Sequence, residues 1–404
     1  MQTSFDRRYG IVAAAFSIQA VVIGGMFAYG VFFKVLEAEL GWSRTLLSAS
    51  SSLAFLVMGI FAILGGRLND RFGPRWVLSA SGLCFGLGYA LMAYMSAPWQ
   101  LFILFGVLVG LGMSTHDVVT LSTIARWFER RRGMMTGVVK VGTACGQVVI
   151  PLLVTALIAT FGWRNACLML GCGSALVLVL AAQGMRRPVV PSPVTTGSTD
   201  RPQKVWGKSL SEAARTPQFW TLCAVQFMFF PALVTVPVHI VAHGMDLGMA
   251  AGSAAAVLSL IGAVSILGRL FVGIVVDRIG GRRSLLICFT LLLLSLLWLR
   301  STDAPWMLFV FAVVYGFAHG GLFTVVSPTV AEFFGMAEHG AIFGIVLFFG
   351  TVGGAVGPLL AGSIFDATGS YDIAFSGLAV LTFIGLLLVA SIRPAPLSAP
   401  LSPT

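Results

Sequence analysis

The chain has 404 residues, 57% of them hydrophobic and 10% charged, with a mean hydropathy of +0.95. Soluble domains carry about 25% charged residues, so this chain cannot cover a water-facing surface, which excludes a cytosolic enzyme, a nucleic-acid binder and a disordered regulator. The class that remains is a polytopic membrane protein, and the net charge of +10 must be read from where the charges sit.

A spanning helix needs about 20 mostly apolar residues. In chain order the sequence predicts twelve such windows, at about 9–33, 45–66, 76–96, 98–125, 134–160, 164–185, 218–242, 251–276, 284–300, 304–331, 340–364 and 371–392. Helices of that length take roughly 240 residues in all, which leaves short connections and no room for a soluble catalytic domain. The first window follows Arg7 and Arg8, is too long for a signal peptide and ends at no small-residue cleavage site. The six cysteines (Cys84, Cys145, Cys167, Cys172, Cys223 and Cys288) fall inside spans, with neither a disulfide framework nor metal-ligand spacing. No metal or cofactor is expected.

Cationic residues gather in alternate loops. One set holds Arg67, Arg71 and Arg75, then Arg126 and Arg130 to Arg132, then Arg186, Arg187, Arg201, Lys204, Lys208 and Arg215, then Arg278, Arg282 and Arg283. The other set holds only Lys34, Arg44, Arg164 and Arg300, offset by acids. Retention of Lys and Arg on the cytoplasmic side predicts both termini inside, in a plasma membrane of the bacterial inner-membrane kind. The stretch 186–216 is rich in Pro, Ser and Thr and reads as a flexible cytoplasmic linker. It separates a six-helix bundle over 1–185 from a second over 217–392, with 393–404 as a cytoplasmic tail.

The two halves match in order. Gly66 to Gly73, with Asp70-Arg71, returns as Gly273 to Gly280, with Asp277-Arg278. Ala125-Arg-Trp-Phe128 returns as Ala331-Glu-Phe-Phe334, and Gly133, Gly137 and Pro151 return as Gly340, Gly344 and Pro358. This series indicates an internal duplication. The predicted fold is all-α, twelve helices in two pseudo-symmetric six-helix bundles, and such halves with a site at their interface describe an alternating-access transporter.

Over its full length the sequence resembles the major facilitator superfamily, most specifically in Gly66-Arg-Leu-Asn-Asp70-Arg71-Phe-Gly73-Pro74-Arg75. The resemblance implies a cytoplasmic charge clamp at Asp70, Arg71 and Arg75, repeated at Asp277 and Arg278. Gly137, Gly142, Gly146 and Pro151 look like a glycine-rich motif of exchangers, or serve plain helix packing. The finer resemblance is to the monocarboxylate porter and oxalate/formate antiporter branch. Arg215-Thr-Pro-Gln-Phe-Trp220 opens span 7 as in that branch, and Arg269 falls on its substrate-binding arginine in span 8.

Ionisable groups near the bilayer centre are costly and functional by default. Arg269, Asp117 and Lys140 each lie seven to nine residues from a cytoplasmic helix end, roughly 12 Å of helix rise. Arg269 suits a bidentate grip on a carboxylate. Asp117 and Lys140 stand at matching depth on adjacent helices, as a neutral structural pair, a proton relay or both. His116 reads as a packing residue. The resemblance puts His319, Phe27, Tyr29 and Phe323 on pocket positions, with Asp117 replacing a pocket aromatic. Pro231 and Pro237 are candidate gate hinges. Departures also matter: the second cation of oxalate exchangers is Gly350 here, and the lysine and acid of eukaryotic porters are Phe27 and Ser265.

The sequence therefore points to a carrier, not an enzyme, for an organic monocarboxylate of the lactate or pyruvate kind, by proton symport. Arg269 would bind the carboxylate and Asp117 with Lys140 would form the relay, with His319 as a second proton-coupling candidate. A dicarboxylate or oxalate/formate-type exchanger using Arg269 plus Lys140 is the alternative. Partners expected are a small organic anion, the proton and the lipid bilayer, with no nucleic acid, for a chain working as a monomer.

Overall fold

The computed structural model describes residues 2–129, 131–188 and 206–392. Those residues form long helices with no strand beyond an isolated bridge between Gly207 and Gly335. The spans are α1 (Gln2–Leu40), α2 (Arg44–Phe72), α3 (Pro74–Met92) and α4 (Pro98–Trp127). Next comes the continuous stretch Arg132–Gly184, which Gly162 at φ 77° divides into α5 (132–161) and α6 (163–184). After a short helix, Leu210–Ala214, follow α7 (Pro217–Asp246), α8 (Ala251–Ile279), α9 (Gly281–Arg300), α10 (Pro305–Phe334), α11 (His339–Thr368) and α12 (Asp372–Ser391). The twelve predicted windows each correspond to one of these helices. Several helices run longer than predicted; α1 covers 39 residues.

Duplication is visible in how the helices end. The α2–α3 corner turns at Gly73 (φ 88°) and the α8–α9 corner at Gly280 (φ 83°), matching positions in the repeat where only glycine takes a left-handed backbone without strain. Each bundle has its own aromatic interior, with Phe32, Phe85, Tyr89 and Phe105 in the first and Phe229, Phe289, Phe311 and Tyr315 in the second. Leu152, Leu176, Leu359 and Leu387 stand more than half exposed, as befits a multi-pass protein whose outer solvent is hydrocarbon.

The bundles meet along two seams, α2 against α11 and α5 against α8. Both seams are built on glycine. A Cβ at Gly66 would overlap the Gly340 carbonyl, one at Gly133 the Gly273 carbonyl, and one at Gly137 the Arg269 carbonyl. All of these contacts lie toward the side that carries the linker, here the linker side. The seams are therefore closed there, backbone on backbone.

Of the expected linker 186–216, residues 189–205 lie outside the described residues, as does the tail 393–404. Residues 206–216 form a docked strap. The Met336 N–H donates to the Trp206 carbonyl (2.9 Å) and the Lys208 N–H to the Phe334 carbonyl (2.8 Å). Ser209 caps the short helix and Glu338 accepts from the Leu210 N–H at 2.8 Å. Backbone groups satisfied in this way have little reason to stay solvated.

Candidate functional site

The central feature is an ion pair inside the first bundle. Helix α4 is broken by a turn at Ser114-Thr115 and restarts at His116. Asp117 thus falls in the first turn of a helical segment, where free N–H groups and the helix dipole favour a negative charge. Lys140 Nζ on α5 lies 2.5 Å from Asp117 Oδ1, and Lys140 is only 3% exposed. The fully buried Gln19 of α1 donates from Nε2 to the same Oδ1 (2.8 Å) and to Thr120 Oγ1 (3.0 Å). His116 Nδ1 sits 2.6 Å from the Met113 carbonyl, and its Nε2 stands 3.7 Å from Asp117 Oδ2.

Arg269 approaches from the other bundle. It is 4% exposed, and its Nε and Nη1 have no hydrogen-bond partner among the described residues. Buried donors left open are expensive unless something arrives to fill them. Phe323 of α10 joins the two cations, with Lys140 Nζ 5.4 Å and Arg269 Cζ 5.8 Å from its ring centroid, both within cation–π range. His319, one turn earlier, meets Phe323 edge-on at 5.0 Å, and its Nδ1 has no hydrogen-bond partner among the described residues. Asp117, Lys140, Gln226, Phe229, Phe230, Phe323 and Phe343 are among the residues around a cavity between the bundles. At about 10 Å³ it has room for little more than one water, so a substrate needs the bundles to part.

Gln226, uncharged and inconspicuous in the sequence, is 2% exposed, and its Oε1 has no hydrogen-bond partner among the described residues. It also explains Gly350. A Cβ there would stand 2.7 Å from Gln226 Nε2, so glycine on α11 leaves room for the amide.

The clamp is assembled differently from expectation, and more symmetrically. Asp70 Oδ2 accepts from the Ala341 N–H (3.1 Å), at the start of α11. Asp277 accepts from the Gly133 and Met134 N–H groups (2.7 and 2.9 Å), at the start of α5. Each aspartate of the repeat therefore caps the matching helix of the opposite bundle, a charge-assisted bond aided by the dipole. The cation on Asp70 is Arg126, at 2.8 Å. Arg71 and Arg75, expected in the clamp, are exposed side chains over the Phe72 and Trp76 rings, and Arg278 is likewise exposed. Glu332, the counterpart of Arg126, accepts from the Gly281 N–H at 2.6 Å. Its equivalent in the first half, Pro74, has no N–H to offer, which fits an arginine at 126 instead of an acid.

Two predicted wall residues are not brought to this site. The Tyr29 hydroxyl bonds the Leu47 carbonyl (2.9 Å) and Ser50 Oγ (2.7 Å), and its ring stacks on Phe105 at 3.8 Å. It ties α1 to α2 within the first bundle. Phe27 is 40% exposed and absent from the cavity lining. Gly142 and Gly146 abut the Phe16 and Ala20 carbonyls, a packing role. Helix α7 continues through Pro231 and Pro237.

A family model described as the Major Facilitator Superfamily matches residues 15–271 and 244–404. The chain is similar to monocarboxylate transporter 13 of Rattus norvegicus, at 29% identity over 94% of this chain and 87% of the relative. It is similar to human monocarboxylate transporter 11 at 27% (93% and 82%) and to the uncharacterized MFS-type transporter YhjX of Escherichia coli at 26% (85% and 85%). Among solved structures it shares its fold with the proton:xylose symporter XylE, with a TM-score of 0.74 at 13% identity over 96% of each chain. It shares it also with the human organic anion transporter MFSD10, with a TM-score of 0.68 at 16% identity over 95% of this chain and 99% of that one. With two duplicated six-helix bundles and a family match along nearly its whole length, the chain belongs to the Major Facilitator Superfamily, a family of membrane transporters and not of enzymes.

Proposed function

We propose that the protein is a secondary carrier of an organic monocarboxylate of the lactate or pyruvate kind, moved by alternating access in symport with a proton. The observation that carries this reading is Arg269, a buried guanidinium between the bundles with two unfilled donors. A planar fork of donors matches a carboxylate. Charge supports one negative group on the substrate: Asp117 already compensates Lys140, so Arg269 leaves a single positive charge unanswered. The names of the similar monocarboxylate transporters agree with this class.

Phe323 and His319 form the apolar wall beside the carboxylate, and the Asp117–Lys140 pair is the ionisable element through which proton and substrate are linked. The linker side is the cytoplasmic side of a bacterial inner membrane, with both termini there, and one chain is the working unit. Uptake into liposomes tests the proposal. Arg269→Ala and Arg269→Lys should each abolish carboxylate uptake and carboxylate-induced thermal stabilisation. Near-normal uptake by either variant refutes the assignment.

A further inference from the structure

Asp117 has two oxygens and two basic neighbours, and the geometry separates them. Oδ1 is held by Lys140 and Gln19, while Oδ2 faces His116 Nε2 at 3.7 Å. A backbone carbonyl only accepts, so the 2.6 Å contact between His116 Nδ1 and the Met113 carbonyl assigns the ring's resident proton to Nδ1. In the neutral ring, Nε2 therefore turns a lone pair toward a carboxylate oxygen. One further proton at Nε2 converts that opposed contact into an ion pair.

The surroundings leave this nitrogen with few competitors. His116 is 6% exposed. It also borders a second small cavity, inside the first bundle, with Ile18 and Val22 of α1, Leu78, Ser81 and Gly82 of α3, Gly112 and Thr115 of α4 and Leu178 of α6. None of those lining groups titrates in the working range. The charged groups acting on the ring are Asp117 and, from α5, Lys140.

We propose that His116 is the proton-binding residue of the carrier, acting through Asp117 to free Lys140. Protonation at Nε2 gives Asp117 a second counter-ion on Oδ2. Lys140 is then no longer the only charge balancing that carboxylate, and its ammonium, already 5.4 Å from the Phe323 ring beside Arg269, turns to the substrate. A proton bound on one side of Asp117 thereby adds a second cation to the carboxylate site at Arg269 on the other, and the two ligands move together. No bond other than the N–H forms or breaks. The proposal rests on the reading of Arg269 as the carboxylate anchor.

Two measurements test it. In weakly buffered solution with a pH-indicating dye, lactate and pyruvate binding to the wild-type protein should take up protons, and His116→Gln should bind the same acids more weakly and without proton uptake. In liposomes His116→Gln should lose accumulation driven by a proton gradient and keep only a reduced carboxylate counterflow through Arg269, with its pH profile flattened. His116→Asn serves in the same way should the glutamine variant not fold. A wild-type pH profile in either variant overturns the proposal, as does wild-type binding with no proton uptake. Failure of the wild type to bind any carboxylate overturns the Arg269 reading instead, and this inference falls with it.

Discussion

Replacing Asp117 by Asn removes the negative half of a pair whose positive half cannot reach water. The Lys140 side chain is 4% exposed, 2.5 Å from Asp117 Oδ1, and Gln19 is a donor to the same oxygen and cannot balance a cation. Breaking a buried pair in this way costs about 3–5 kcal/mol, whereas replacing both partners by groups of similar volume is near neutral or stabilising. Asp117→Asn should therefore lower the thermal midpoint by several degrees, and Asp117→Asn with Lys140→Met should return it close to wild type. Four proteins measured at one scan rate in the same detergent complete the cycle. A single variant as stable as the double would show that Lys140 is not a desolvated, Asp117-dependent charge. Transport then separates structure from coupling: the double variant, although stable, should no longer drive uptake with a proton gradient.

The seams and their caps give further outcomes. Gly137→Ala would press a methyl into the Arg269 carbonyl, and overpacking of about 1–3 kcal/mol should shift the population away from linker-side closure by about 5- to 150-fold, read from spin-label distances across α5 and α8. Asp70→Asn and Asp277→Asn each weaken one cross-bundle cap, worth about 1–2 kcal/mol. Each should favour linker-side opening roughly fivefold to thirtyfold by the same distances, and the two effects should add because the caps sit on separate seams. Equal closure in all these variants would remove the caps and glycines from any role in gating.

Much of this was legible in the sequence, for identifiable reasons. Hydrophobic windows located every span because lipid leaves a backbone little choice except the helix. Arg269, Asp117 and Lys140 were conspicuous because charge is rare in such windows. Phe27 and Tyr29 misled because an aromatic at helical spacing carries no sign of which neighbour it faces. Gln19 and Gln226 escaped because an uncharged amide does not stand out until its burial is known. Arg126 stands in a cationic loop that topology alone accounts for, and its partner Asp70 lies 56 residues earlier in the chain. The docked strap at Trp206–Lys208 has the composition of a linker, and only the α10–α11 corner it meets makes it an ordered element.

The glycine seams have a further consequence for the path that opens between them. When α2 leaves α11 and α5 leaves α8, the surfaces uncovered at Gly66, Gly133, Gly137 and Gly340 are peptide groups with no hydrocarbon over them. Water wets such surfaces with little of the penalty it meets on exposed leucine. A vestibule opening on the linker side would meet water along these peptide groups, which suits an anion better than a hydrocarbon wall would. Smallness that brings the halves together when closed also makes the opened channel hospitable to a charged passenger.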